Sequence, residues 1–181
     1  MRKRKLQELN RLSVEAYRRA GKFPLVLVLD NVRSGLNVGS VFRTADAFAL
    51  ERLLLCGITS TPPHREILKT AIGATESVSW SYRESTLAAI VELRKEGYAI
   101  WAVEQAEGSR SLSGFTPQPD MKYALVLGNE VRGVDQQVMD RVDGALEVPQ
   151  FGTKHSLNIA VCAGVVCWEL IRQMPPRQTT R

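Results

Sequence analysis

The feature that most constrains this chain is an unbroken aliphatic run, Leu25-Val26-Leu27-Val28-Leu29, closed by Asp30. Side chains of a strand alternate between two faces, so a run with no polar alternation has to be buried on both. A parallel sheet covered by helices on each side meets that demand. Shorter runs of the same kind recur at 52–56, 98–103, 123–127 and 145–148. Helical patterns lie between them at 41–49, 85–96 and 134–141, and a long final one spans 157–173. This alternation predicts an α/β fold, a mainly parallel sheet flanked by helices, over residues 24–175. Ahead of it, Leu6, Leu9, Leu12, Ala16 and Tyr17 predict one helix over 5–20, stopped at Gly21, within a basic extension covering residues 1–23. A short basic tail, 176–181, closes the chain. The proline-containing stretches 59–64 and 113–120 read as surface loops, too short for interdomain linkers.

Several function classes are disfavoured at once. The longest nearly uncharged stretch, 159–168, is well short of the roughly 18 to 20 apolar residues that a membrane-spanning helix needs. Arg2, Lys3, Arg4 and Lys5 are followed by Gln7, Glu8, Asn10 and Arg11 rather than an apolar segment, so a secretory signal is not expected and the protein is expected to be cytoplasmic, with no membrane partner. Cys56, Cys162 and Cys167 have neither C-x-x-C spacing nor neighbouring histidines and read as reduced core thiols. With His64 and His155 the only histidines, no metal centre is expected. A formal net charge of +5, with basic residues gathered at the two ends, suits a polyanionic partner as well as it suits solubility.

Ligands of open parallel sheets bind beyond the carboxyl ends of the strands, which draws attention to three segments. The first, Asn31 to Arg43, places Gly35, Asn37, Gly39 and Arg43 around a helix start, where backbone amides and a guanidinium can hold a phosphate. Its glycines could equally just shape a turn. The second, Gly128-Asn129-Glu130-Val131-Arg132-Gly133, has the outer glycines of a P-loop without the following Lys and Ser/Thr, which disfavours a nucleoside triphosphatase. The lack of G-x-G-x-x-G after the first strand likewise weakens a dehydrogenase reading. Glu130 is left to pair with a functional arginine, to accept from a ribose hydroxyl, or to pair structurally with Arg132 or Arg141. The third, Val148 to Asn158, ends where Ser156 or Asn158 can cap the final helix. One composite site is the economical account of three such segments.

Asn37-Val38-Gly39 with Arg43, then Gly128-Asn129-Glu130 with Gly133, then Val148-Pro149 with Gly152 and Ser156-Leu157-Asn158, resemble in order the three motifs of the SpoU (TrmH) group of SPOUT RNA 2′-O-ribose methyltransferases. The resemblance spans residues 25–172. It implies a deep trefoil knot, with the chain from about Tyr123 to the final helix threaded through a loop, S-adenosyl-L-methionine as cofactor, RNA as substrate and a homodimer with active sites at the interface. It further implies Asn37, Arg43, Glu130, Ser156 and Asn158 as the catalytic set, and Val103, Gly128, Asn129, Glu130, Gly133, Val148, Gln150, Ser156, Leu157 and Asn158 as the cofactor cradle. Gln150 stands where many members carry Met, and Val131-Arg132 where a smaller pair is usual, which bears on substrate preference.

Methyl transfer to a ribose hydroxyl needs the oxygen held in line and its proton removed. A guanidinium is a poor base, so Arg43 is expected to grip the phosphate beside the target ribose, helped by Asn37 and Asn158, with proton removal assisted by that phosphate or by Glu130 through water. DNA lacks the hydroxyl, and the basic ends offer contacts to an RNA backbone. Transfer RNA is the favoured target. The alternatives are ribosomal RNA and a non-catalytic RNA-binding protein that keeps the fold.

Overall fold

The computed structural model describes residues 1–175, apart from the side chains of residues 6 and 7, and the expected basic tail at 176–181 lies outside the described residues. Seven strands form one parallel sheet: β1 (Phe23–Asp30), β2 (Leu50–Cys56), β3 (Trp80–Arg83), β4 (Tyr98–Val103), β5 (Arg110–Ser111), β6 (Lys122–Leu127) and β7 (Gly144–Glu147). Their spatial order is β3-β2-β1-β6-β4-β7-β5. The aliphatic run sits in β1 at the centre, with Leu27 registered against Leu53 on one side and Leu125 on the other.

Both faces of β1 are covered, as its composition demands. Leu25, Leu27 and Leu29 join a core with Val38, Val41 and Phe42 of α2 (Gly35–Ala47), Ile67 of α3 (Arg65–Ala71), Ala74 of α4 (Ala74–Ser77) and Ala163 and Val166 of α7 (Ile159–Ile171). Val26 and Val28 face a second core with Ala89, Ile90 and Leu93 of α5 (Thr86–Lys95) and Val138 of α6 (Gln136–Met139). Cys56 and Cys167 are buried, Cys162 is half-buried, and none is in a disulfide. Burial pushes the Cys56 thiol up to about 12 and the Cys162 thiol up to about 11, as expected for apolar surroundings.

The structure differs from the sequence reading in four places. The helix expected over 5–20 is two pieces: a short 3₁₀ turn, Leu6–Leu9, then α1 (Val14–Arg19). Asn10 takes a left-handed φ of 46° and Ser13 Oγ caps the second piece by accepting from Ala16 N at 3.2 Å, so side-chain capping wins over continuous periodicity. Helix α2 starts at Gly35 rather than 41, capped by Ser34. Its Gly39, which suggested a loop, is buried in the helix instead, because a Cβ there would stand 2.3 Å from the Ile67 carbonyl oxygen of α3. The helix expected over 134–141 shrinks to α6, while α3, α4, β3 and β5 were not anticipated. Thr59, expected on the surface, is buried: its Oγ1 accepts from Val32 N at 3.0 Å and donates to the Leu29 carbonyl at 3.1 Å. No helix among the described residues is long and apolar enough to cross a membrane.

Candidate active site

Strands β4, β6 and β7 end at one cleft of about 740 Å³, where the rule for parallel sheets places a ligand. Every residue expected to cradle the cofactor lines it: Val103 after β4, Gly128 to Glu130 and Gly133 after β6, then Val148, Gln150 and Ser156 to Asn158 after β7. Its size suits a nucleoside-sized molecule, and its wall mixes the apolar Leu127, Leu146 and Ile159 with the polar ends of Glu104, Gln105 and Gln150. An adenosine ring and a charged amino-acid tail call for that combination, so the residues present fit S-adenosylmethionine. Among the described residues, no group of three or more His, Cys, Asp or Glu is placed to hold a metal ion.

The loop after β6 is held by its own side chains. Asn129 and Gly133 exchange two backbone hydrogen bonds of 2.9 Å, closing a tight turn. Asn129 Oδ1 accepts from Val131 N at 2.9 Å and Arg132 N at 3.2 Å, while its Nδ2 donates to the Asn31 carbonyl at 2.7 Å. The Asn129 side chain therefore builds the wall of the cleft. At the far end of the loop, Asp135 N donates to Asp30 Oδ2 at 3.0 Å. Asp30 is buried at the tip of β1 and is further satisfied by Thr86 Oγ1 at 2.6 Å and Asn31 Nδ2 at 2.8 Å.

Glu130 joins this loop to the start of α2. Its carboxylate accepts from Arg33 N and Ser34 N, both at 3.0 Å, and from Asn37 Nδ2 at 2.9 Å. Burial opposes the charge, but the donors of Arg33, Asn37 and Ser34 outweigh it and hold the carboxyl below its ordinary value. A nearby helix N-terminus favours the same anion. Asn158 caps α7, with Oδ1 accepting from Ala160 N at 2.9 Å, and its Nδ2 donates to Asn37 Oδ1 at 3.1 Å. Asn158, Asn37 and Glu130 thus form one directed chain linking all three segments. Neither Arg132 nor Arg141 forms an ion pair with Glu130, and the expectation of Glu130 as a proton acceptor meets a physical obstacle: three donors already occupy the carboxylate and stabilise its charged form. Ser156 is exposed on the cleft wall, and the cap of α7 is Asn158.

Arg43 is elsewhere. Six residues beyond Asn37 on one helix, it lies about 9 Å along the axis and is rotated by roughly 240°. It makes no hydrogen bond or ion pair with another described residue, so the expected contacts of Asn37 and Asn158 to Arg43 are absent within one chain. Instead Arg43 edges a shallow groove between α2, α3 and α7 with Ile72, Val161, Val165 and Trp168, exposed by 68, 55, 40 and 58%.

The sequence reading missed Asp30, Glu104 and Gln105. Asp30 carried a signal, being a carboxylate that ends a fully buried strand, where only a satisfied group is tolerated. Glu104 and Gln105 carried none.

The sequence profile of the SpoU rRNA methylase family matches residues 24–168. The chain belongs to that family. It is 30% identical over 167 residues to the 23S rRNA (guanosine-2′-O-)-methyltransferase RlmB of Haemophilus ducreyi, covering 92% of this chain and 67% of that protein. It spans only 59% of the corresponding Neisseria meningitidis protein and 58% of a Staphylococcus aureus relative. Among solved structures, an AdoMet-bound rRNA methyltransferase from Sinorhizobium meliloti superposes with a TM-score of 0.77 at 26% identity, covering 90% of this chain and 61% of that one. A protein whose structure concerns the 2-OH methylation of C/U34 on tRNA superposes with a TM-score of 0.73 at 29% identity, covering 82% and 95%.

Proposed function

We propose that this protein is an S-adenosyl-L-methionine-dependent RNA ribose 2′-O-methyltransferase that works as a homodimer. The observation that carries the reading is the separation of Arg43 from the cleft. The cleft and the Asn158–Asn37–Glu130 chain are complete within one protomer, whereas Arg43 stands unpaired beside an exposed apolar groove. A patch of large exposed apolar side chains flanking one cation is what a self-complementary twofold contact buries. Packing two such grooves together brings Arg43 of one copy towards the cleft of the other.

Bound S-adenosylmethionine supplies a methyl group on a positively charged sulfur; transfer to the ribose 2′-oxygen leaves a neutral thioether and one proton. The protein has to orient the hydroxyl and see its proton away. Arg43, permanently charged and carrying five donors but no acceptor, is suited to grip the phosphate next to the target ribose and to fix the hydroxyl. Glu130 positions: it orders the first turn of α2 and the loop after β6, and through Asn37 it holds Asn158 on the cleft wall. Ser156 offers a hydroxyl from the same segment as Asn158. The proton is left to the gripped phosphate or to water.

The C-terminal third is read as the knot of this family, supported by the insertion of β6 and β7 between earlier strands and by the Gln173 Nε2 bond to the Phe115 carbonyl, 3.3 Å, at the loop it would thread. Transfer RNA is the first target to test, supported by the likeness to the C/U34 enzyme, and ribosomal RNA the second, supported by the 30% identity to RlmB. Either substrate implies a cytoplasmic protein. Incubating the protein with labelled methyl donor and total cellular RNA, then digesting to nucleosides, is expected to yield a labelled 2′-O-methyl nucleoside in the transfer-RNA fraction. Label in ribosomal RNA selects the second target, and RNA binding with no affinity for the methyl donor sinks the enzyme reading.

A further inference from the structure

Two adjacent residues just past β4 reach opposite walls of the cleft. Glu104 Oε2 accepts from Val134 N at 3.0 Å, at the end of the loop that follows β6. Its Oε1 accepts from Gln105 N at 3.0 Å, so both oxygens are engaged. The approach depends on Gly133: that residue takes a left-handed φ of 69°, and a Cβ there would stand 2.3 Å from Glu104 Oε2. Gln105 points the other way, its Nε2 donating to the His155 carbonyl at 2.7 Å. His155 lies in the segment after β7 that carries Gln150, Ser156 and Leu157. Among the described residues, this is the single hydrogen bond that residues 149–157 make.

We propose that Glu104 and Gln105 are positioning residues that set the width of the cofactor cleft, one fixing the wall at Val134 and the other tethering the wall at His155. The inference rests on the reading of the cleft as the S-adenosylmethionine site. A wall that is already in place costs the ligand less ordering when it binds, so the clamp acts on cofactor affinity rather than on the chemical step. Gln105 carries more of this burden because its segment has no other tie. The Glu104 side acts through two backbone amides, Val134 N and Gln105 N, one on each carboxylate oxygen.

The test is calorimetric titration of the intact protein with S-adenosylmethionine, alongside initial rates at varied cofactor. Gln105→Ala, an exposed change that leaves the core untouched, is expected to raise both the dissociation constant and KM for the cofactor about tenfold, about 1.4 kcal/mol, with kcat at saturation within about twofold. Gln105→Glu, similar in shape but without the donor, is expected to match Gln105→Ala. Glu104→Ala is expected to weaken binding likewise, and Glu104→Gln, which keeps an acceptor for Val134 N but turns its amide nitrogen towards Gln105 N, to recover part of that loss. Gln105→Ala binding as tightly as the parent overturns the proposal. So does Glu104→Ala binding as tightly as the parent, since the wall at Val134 then stands without that carboxylate. A parent protein with no affinity for the cofactor defeats the reading of the cleft, and this inference with it.

Discussion

The first and third turns of helix α2 make opposite use of the same scaffold. The first turn is saturated: Ser34 caps it, Asn37 donates to Glu130 and accepts from Asn158, and Arg33 N and Ser34 N are both bound to the Glu130 carboxylate. The outward side of the third turn is open, with Arg43 unpaired among described residues and Trp168 and Val161 exposed alongside it. Polar groups that a fold must hold rigidly are satisfied inside one chain, because an unsatisfied donor or acceptor is costly. A cation and apolar surface left open invite a second molecule. In the proposed dimer, the contrast marks the boundary between what one protomer completes and what a second copy would supply.

The sharpest way to break that contrast is Arg43→Ala. Methyl transfer is expected to fall about a hundredfold or more while calorimetry shows cofactor affinity nearly unchanged. Mixing Arg43→Ala with Asn37→Ala protomers is then expected to restore about a quarter of the activity, since half the dimers are mixed and each holds one intact composite site. No recovery on mixing places both residues in the same subunit's site. A second change, Trp168→Asp, would place a charge in the proposed twofold contact and is expected to convert dimer to monomer in sedimentation, with loss of activity but retained cofactor binding. An active monomer removes the need for a neighbour. The mildest effect belongs to the saturated turn. Glu130→Gln is expected to cost about 1 kcal/mol of stability at neutral pH, because an amide cannot accept from all three donors. The lowered carboxyl pKa of Glu130 stabilises the fold above its unfolded value of 4.5 and loses that contribution as pH falls through the folded value. The variant is therefore expected to flatten the acid limb of the melting-temperature profile, and an unchanged limb denies Glu130 its role at the helix start.

What the sequence disclosed follows the same division. Strand β1 was legible because five aliphatic residues in a row leave no alternative to burial on both faces. The cleft was legible in part: the segments after β6 and β7 stand out as polar strand ends, whereas the end of β4 entered only through Val103, by family resemblance. Helix α2 was read too short because Gly35 and Gly39 look like punctuation until α3 is seen lying against them, and α3 is itself too short and polar to announce its pairing. Edge strand β3, Trp80–Arg83, has mixed burial and no clean alternation. The long N-terminal helix failed on Ser13, whose preference for capping is local and outweighs a weak apolar stripe. Arg43 was expected beside Asn37, with which it shares a motif, and beside Asn158, which belongs to another. Helical geometry turns six residues of sequence into the far side of a cylinder.

Asp30 has one more consequence. It is about 1% exposed at the tip of the central strand, and it holds the amide of Asp135, a residue on the surface of the protein. That amide cannot open by breathing of its own loop, since releasing it strands a carboxylate inside the core. In deuterium its exchange should keep time with the sheet rather than with its solvent-facing neighbours. The far end of the loop after β6 is thus among the last parts of the molecule to let go.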